Sequence, residues 1–355
     1  MQASVEGWGP FWSRTRWVAL LVAAAVLVLA IGLGAAKGSV AIPLSTLAAM
    51  VGRRVFGLEG AATWPASWET VLFQVRLPRV CLAALVGAAL SLAGAAYQGL
   101  FHNPLADPYL VGVSSGAGLG ATLAMYLGIQ MTWAGLGAVP IFAFFGALAA
   151  TAAIYGLAQV GGKTPVTTLL LAGVAVASLL SAVTTYIWLA AANAFQSMTI
   201  ISWLMGSLAL ANWSEVRVLL PYLLVGGTAI ILGGHALNVL QLDEDQAHLL
   251  GLNVERTKLF LVAANALLTA AAVAMSGIIG FVGLIVPHAV RLAWGPDHRF
   301  LLPMSALIGA VFMIAADGIA RTILSPAEVP VGVVTAICGV PFFLYLLRRK
   351  KQSVF

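Results

Sequence analysis

The chain has 355 residues, 61% of them hydrophobic and 8% charged, with a mean hydropathy of +1.00 and a formal net charge of +6. Soluble domains carry about a quarter charged residues, so this composition excludes a soluble enzyme and indicates an all-α polytopic membrane protein. The cations sit at ends and loops, so the positive balance reads as membrane-flanking charge and not as a nucleic-acid surface.

Ten spans are expected in chain order. The first is 17–36, preceded by Arg14 and Arg16, which suggests an uncleaved first helix. A polar-to-amphipathic stretch, 37–75, holds Trp64 and Trp68, suited to the membrane–water interface. The second span, 77–101, follows the two arginines of Arg76-Leu77-Pro78-Arg79. Gly87, Ser91 and Gly99 fall on one face of it, a spacing that lets helix backbones approach closely in lipid. Two prolines in Asn103-Pro104-Leu105-Ala106-Asp107-Pro108 turn the chain. The third span, 110–127, carries a second small-residue ladder at Gly112, Gly116 and Gly120. Spans four and five are 139–158 and 167–190. The apolar stretch 193–210 is interrupted by Asn193, Gln196, Ser197, Ser202 and Gly206, and reads as a short helix at the interface or lining a cavity. Span six is 216–232.

The charged stretch 241–258 follows. Residues 243–250 can form a short helix, with Asp243, Glu244 and Asp245 at its N-terminal end as the helix dipole prefers, and Gly251 suits its C-cap. With His248, Leu249 and Leu252 it has the form of a docking element for a cytoplasmic protein. Spans seven to ten are 259–275, 278–290 (short and glycine-rich), 302–320 and 331–347. Alternation from an inside N-terminus puts both termini in the cytoplasm. It places Arg14, Arg16, Lys163, Arg256, Lys258, Arg291, Arg299 and the four C-terminal cations inside, the larger share. Arg76, Arg79 and Arg321 then sit at outer span ends, against the tendency.

Residues 156–164 resemble a phosphate loop only at first glance. Leu157 stands where that pattern needs glycine, and the segment leaves an apolar helix. The five histidines are scattered, and the two cysteines, Cys81 and Cys338, read as small buried residues, so no metal, catalytic or disulfide framework is expected. Asp317 is the acid placed inside a span; it can pair with Arg321 one turn later, or serve as an ion-coupling group. A lone acid argues against an ion-coupled secondary carrier, which would need several near mid-membrane.

The RLPR segment, the Asn103–Pro108 turn and Gly112-Val113-Ser114-Ser115-Gly116-Ala117 resemble the permease subunits of importers for iron chelates and vitamin B12, the FecCD type. So do Leu169-Leu170-Leu171-Ala172-Gly173, the GFVGLIVPH stretch within 276–291, Gly295-Pro296-Asp297-His298-Arg299, Glu328-Val329-Pro330-Val331-Gly332 and Pro341-Phe342-Phe343. The resemblance covers roughly 15–350. It implies a single permease domain over 1–355, with ten helices arranged as in the vitamin B12 importer (a type II ABC importer), multi-pass in a bacterial cytoplasmic membrane. It also implies a homodimer or closely related pair with its path at the dimer axis, two ATPase subunits that carry the ATP and Mg, no cofactor on this chain, and an extracytoplasmic binding protein. By the same resemblance Arg76, Arg79 and Arg321 match arginines that pair with glutamates of the binding protein, 242–257 matches the coupling segment, and Val166 and Thr167 match the cytoplasmic gate. The expected cargo is an iron chelate, siderophore or haem, with cobalamin or cobinamide as the alternative.

Overall fold

The computed structural model describes residues 14–38, 42–57, 64–242, 244–325 and 327–351. Helix α1 is Arg14–Ala36, α2 is Leu44–Phe56 and α3 is Ala66–Leu100. Then come α4 (Val113–Tyr126), α5 (Ala138–Leu157), α6 (Val166–Leu189), α7 (Ala194–Leu204) and α8 (Trp213–Leu232). The short helices α9 (Gly234–Leu240) and α10 (Glu244–Leu249) lead to α11 (Val254–Ser276), α12 (Val282–Trp294), α13 (His298–Thr322) and α14 (Val331–Lys351). A two-residue hairpin pairs Thr132–Trp133 with Leu136–Gly137 ahead of α5.

Among the described residues, seven helices are long and apolar enough to cross a bilayer: α1, α3, α5, α6, α8, α11 and α13. The sequence-based boundaries differ from the structure in three places, each with a physical cause. Helix α3 begins eleven residues before Leu77 and runs 35 residues without a break. Pro78 lacks an N–H, and its ring would clash with the preceding turn; the wide π-turn Val71–Arg76 relieves that clash and lets the helix pass through. Helix α4 has only 14 residues, about 21 Å, short of the ~30 Å hydrocarbon core. The chain leaves α3 and climbs back into the bundle as irregular backbone, with Pro108 pressed against Gly283. Helix α12 is likewise a 13-residue half-crossing after an irregular segment, 277–281, in which Gly277 and Phe281 both take φ of +69°.

Irregular backbone survives inside a membrane only where protein satisfies its polar groups. Here local side-chain caps, a glutamine of α3 and one tyrosine bridging the two broken crossings do so. Asn103 Oδ1 accepts from the Leu105 N–H and Asp107 Oδ1 from the Tyr109 N–H, at 3.0 and 2.9 Å. The Tyr109 hydroxyl donates to the Ile279 carbonyl (2.8 Å) and accepts from the Ile279 N–H (3.2 Å). Gln98 Nε2, buried on α3, reaches the Gly283 and Leu284 carbonyls at 3.4 and 3.2 Å.

The core forms around α3, on which every residue of 86–100 is buried. It packs against α11, α12 and α13; α4 packs on α5 and α6, while α1 lies outermost against α13. Small residues set these distances. A Cβ at Gly87 would collide with the Gly309 carbonyl, and one at Gly309 would meet the Ser91 hydroxyl. Gly116 and Gly146 face each other's carbonyls across α4 and α5; Gly120 faces Phe142, Gly112 the side chain of Ile154, and Gly99 the ring of His298.

Candidate functional sites at the two ends of the bundle

One end of the bundle gathers arginines. Arg76 lies in the π-turn of α3 and donates to the Ala35 and Ala36 carbonyls (3.1 and 3.0 Å), the electronegative C-terminus of α1. Arg79, one turn further on, places Nε and Nη2 each 2.9 Å from Asp317 Oδ1, and Nη1 2.9 Å from Glu328 Oε2. Arg321 Nε lies 3.0 Å from Asp317 Oδ2, and its Nη2 donates to the Gly34 carbonyl at 3.2 Å. Asp317 is 1% exposed, Arg76 4% and Arg79 6%, so the three guanidinium groups turn onto this chain's own carboxylates and carbonyls. The pairing of Asp317 with Arg321 is the i,i+4 contact that the sequence suggests. Arg79 and Glu328 join it from far along the chain and carry no local signal of doing so.

The opposite end holds α10. Gly251 takes φ of +85° and its N–H donates to the His248 carbonyl at 2.9 Å, stopping the helix. The Leu252 N–H closes onto the Ala247 carbonyl at 3.0 Å, and Ala247 is buried. Asp245, His248 and Gly251 are exposed, Leu252 is half-buried, and Leu249 and Leu250 are 88% and 65% exposed. Asp243 lies outside the described residues, as does the side chain of Glu244. Nearby, Asp297 caps α13 and joins Arg16 (3.3 Å), Arg299 (3.1 Å) and Asn238 (2.7 Å). Burial alone would raise the Asp297 carboxyl; hydrogen bonds from Arg299 and Asn238 outweigh it and hold the group down at about 2.

The expected gate residues occupy two separate places. Val166 opens α6 behind Pro165 and is half-buried; Thr167 is exposed. Asn193, Gln196 and Ser197 lie at the far end of α6, whose 24 residues span about 36 Å. Asn193 caps α7 by accepting from the Gln196 N–H (2.9 Å). Gln196 Nε2 donates to the Met125 and Tyr126 carbonyls at the end of α4, at 3.0 and 3.1 Å, so this side chain ties α7 to α4. Beside them is a cavity of about 510 Å³, whose wall includes Met125, Phe195, Met198, Trp203, Glu215 and Met275. Its lining comes from neighbours of Asn193, Gln196 and Ser197 and not from those three. Along α6 itself Leu171, Val174, Leu179, Tyr186 and Leu189 are all at least 64% exposed. Among the described residues no group of three His, Cys, Asp or Glu side chains is placed to hold a metal ion, and Cys81 and Cys338 are free thiols.

Sequence reasoning missed Gln98, Tyr109, Glu215 and Glu328. Each acts on a residue far away in the chain or on a cavity, and a single sequence shows neither.

The FecCD transport family model matches residues 14–349. The cobalamin import permease BtuC of Halobacterium salinarum is 44% identical over 332 residues, 89% of this chain and 88% of that protein. The hemin transport permease HmuU of Yersinia pestis is 43% identical over 305 residues, 83% of this chain and 88% of that one. A solved inward-facing structure of a transporter described as metal-chelate type superposes with a TM-score of 0.79 at 30% identity, covering 93% of this chain and 98% of that one. The match runs through both polar ends and both broken crossings: the chain belongs to the FecCD transport family and is an ABC-transporter permease.

Proposed function

We propose that this chain is the membrane-spanning subunit of a binding-protein-dependent importer that moves an iron chelate, siderophore or haem, across the cytoplasmic membrane. Two copies would stand side by side with two ATPase subunits beneath them; ATP and Mg belong to those subunits. The observation that carries this reading is α10. Leu249 stands exposed beside Asp245 and His248 on this short helix, and Leu250 just past its end, where apolar side chains gain only by being covered. Closure of the ATPase pair would push on α10, and the movement would reach Val166 and Thr167 at the start of α6. The charge pattern supports a cytoplasmic location for that end, since Arg16, Lys163, Arg256 and Arg299 gather there. At the other end, the docking role for Arg76, Arg79 and Arg321 would need their guanidinium groups to turn from Asp317, Glu328 and the α1 carbonyls toward acidic side chains of the soluble binding protein, where charge pairing fixes register and speeds association.

The cargo assignment rests on the outer cavity. Its volume and its walls of methionine, phenylalanine and tryptophan suit a large flat or greasy chelate, with the Glu215 carboxyl as a polar contact. The likeness to a cobalamin permease favours a second reading, cobalamin, in the same site. An ion-coupled carrier is disfavoured because Asp317 is already held by two arginines.

Proteoliposomes holding this chain, its ATPase and its binding protein decide among these. Haem, a ferric siderophore and cyanocobalamin are offered in turn, with internal ATP or with a proton gradient. Uptake of an iron chelate that needs ATP and the binding protein is the expected result. Uptake of cobalamin alone would transfer the cargo assignment, and gradient-driven uptake by this chain alone would overturn the importer reading.

A further inference from the structure

The connection between α5 and α6 is a tight hairpin. Val160 and Lys163 exchange both backbone hydrogen bonds, at 2.9 and 3.1 Å, across Gly161 and Gly162, whose φ values are +58° and +78°. Positive φ at two successive central residues makes this a stiff turn that glycine accepts without strain. Thr164 follows and is 4% exposed. Its backbone N–H lies outside both the hairpin and α6, and it donates to the carboxylate of Glu255, at 3.0 Å from Oε2. Pro165 then fixes the chain at φ −61° and ψ 135° as it enters α6, and its carbonyl accepts from the Leu169 N–H at 3.0 Å.

Glu255 sits in the first turn of α11, six residues after α10 ends at Leu249. Its other oxygen, Oε1, faces the ammonium of Lys258 at 3.4 Å, and Lys258 is 5% exposed. Asn253 Oδ1 accepts from the Arg256 N–H at 3.1 Å and fixes the start of the helix. The path from α10 to the start of α6 therefore has few soft joints. Leu252 closes on Ala247, α11 starts on its cap, Glu255 reaches Thr164, and proline-restrained backbone leads to Val166. The Thr164 N–H needs an acceptor oxygen at this spot, and the Glu255 side chain supplies it.

We propose that Glu255 is a positioning residue that latches the α5–α6 turn to the coupling segment, so that movement of α10 is delivered to Val166 and Thr167. The inference rests on the importer reading. What it adds is that force reaches the start of α6 from the first turn of α11 through one side chain, across 91 residues of sequence.

The test uses the complete complex in proteoliposomes and reads two quantities: ATP hydrolysis stimulated by the binding protein, and ligand imported per ATP. Haem, a ferric hydroxamate siderophore and cyanocobalamin are the probes. Glu255→Gln keeps an oxygen at the reach of the Thr164 N–H. Glu255→Asp keeps the charge beside Lys258 but draws it back by one methylene. A latch predicts import per ATP within about twofold of wild type for E255Q, and a loss of about tenfold for E255D, with hydrolysis retained in both. A helix-dipole or ion-pair role predicts the reverse order. Thr164→Pro, which removes the donor, should uncouple to the same degree, and E255D/T164P should be no worse than either single variant. Coupling in E255D equal to wild type, or additive losses in the double variant, would overturn the latch. Absence of ATP-driven import by the wild-type complex would instead overturn the importer reading itself.

Discussion

Asp317 shows what one residue settles in this chain. A carboxylate 1% exposed in an apolar helix is stable only with partners, and it has two guanidinium groups at about ion-pair distance, Arg79 at 2.9 Å and Arg321 at 3.0 Å. Asp317→Asn leaves both arginines facing a neutral amide. Loss of one member of a buried ionic cluster costs about 3–5 kcal/mol, so the thermal midpoint of the purified protein in detergent should fall sharply. Glu328 also touches Arg79, at 2.9 Å, but its side chain is 39% exposed, and solvent screens that pair. Glu328→Gln should cost under about 1 kcal/mol. Equal losses in the two variants would contradict this division of the cluster. Half of the cluster was legible in the sequence: helical spacing pairs Asp317 with Arg321. The other half was not, because Arg79 lies 238 residues away and only packing of α3 on α13 brings it near.

At the scale of elements, apolar runs told where helices are but not how deep they reach. The third and eighth spans look like crossings because 110–127 and 278–290 are each an uncharged, largely apolar run. The structure makes each a half-helix: Tyr109, from the irregular stretch before α4, satisfies both backbone groups of Ile279, and Gln98 holds the Gly283 and Leu284 carbonyls at the start of α12. The prolines of 103–108 marked the first break and the glycines of 277–283 a short eighth span, but hydropathy does not register a hydrogen bond from a distant side chain, so the pairing of Tyr109 with Ile279 was invisible. The small-residue ladders were more informative, because a glycine repeat reports a close approach directly. Gly116 is the test. A Cβ there meets the Gly146 carbonyl and the Ala150 methyl, so Gly116→Ala should destabilise by about 1–3 kcal/mol through overpacking. Gly156, on α5, has open space around its Cβ position. Gly156→Ala should be neutral or gain about 0.5–1 kcal/mol from the lower backbone entropy of alanine. Melting curves of the two variants, followed by size-exclusion in detergent, check the pair; matching shifts would show that the ladder does not set the helix spacing.

At the scale of the whole molecule, α1 and α6 are the least covered of the seven long apolar helices among the described residues. Val28 on α1 is 71% exposed and Leu179 on α6 is 64% exposed. Composition cannot say which of these faces lipid and which faces protein, since both partners are equally apolar. Position does distinguish them. Helix α1 lies outermost and packs on α13, whereas α6 starts at the turn latched by Glu255 and ends beside α7 and the outer cavity. A path shared by two copies would be walled by the helix that connects the coupling end to the cavity, so α6 is the helix expected at a two-fold axis. In a Cys81→Ser/Cys338→Ser background, Leu179→Cys should therefore cross-link two copies through a short bifunctional thiol reagent in membranes, and Val28→Cys should not. Cross-linking through Val28→Cys with none through Leu179→Cys would place the lipid against α6 and move the path to the α1 side, and with it the role assigned to Val166 and Thr167.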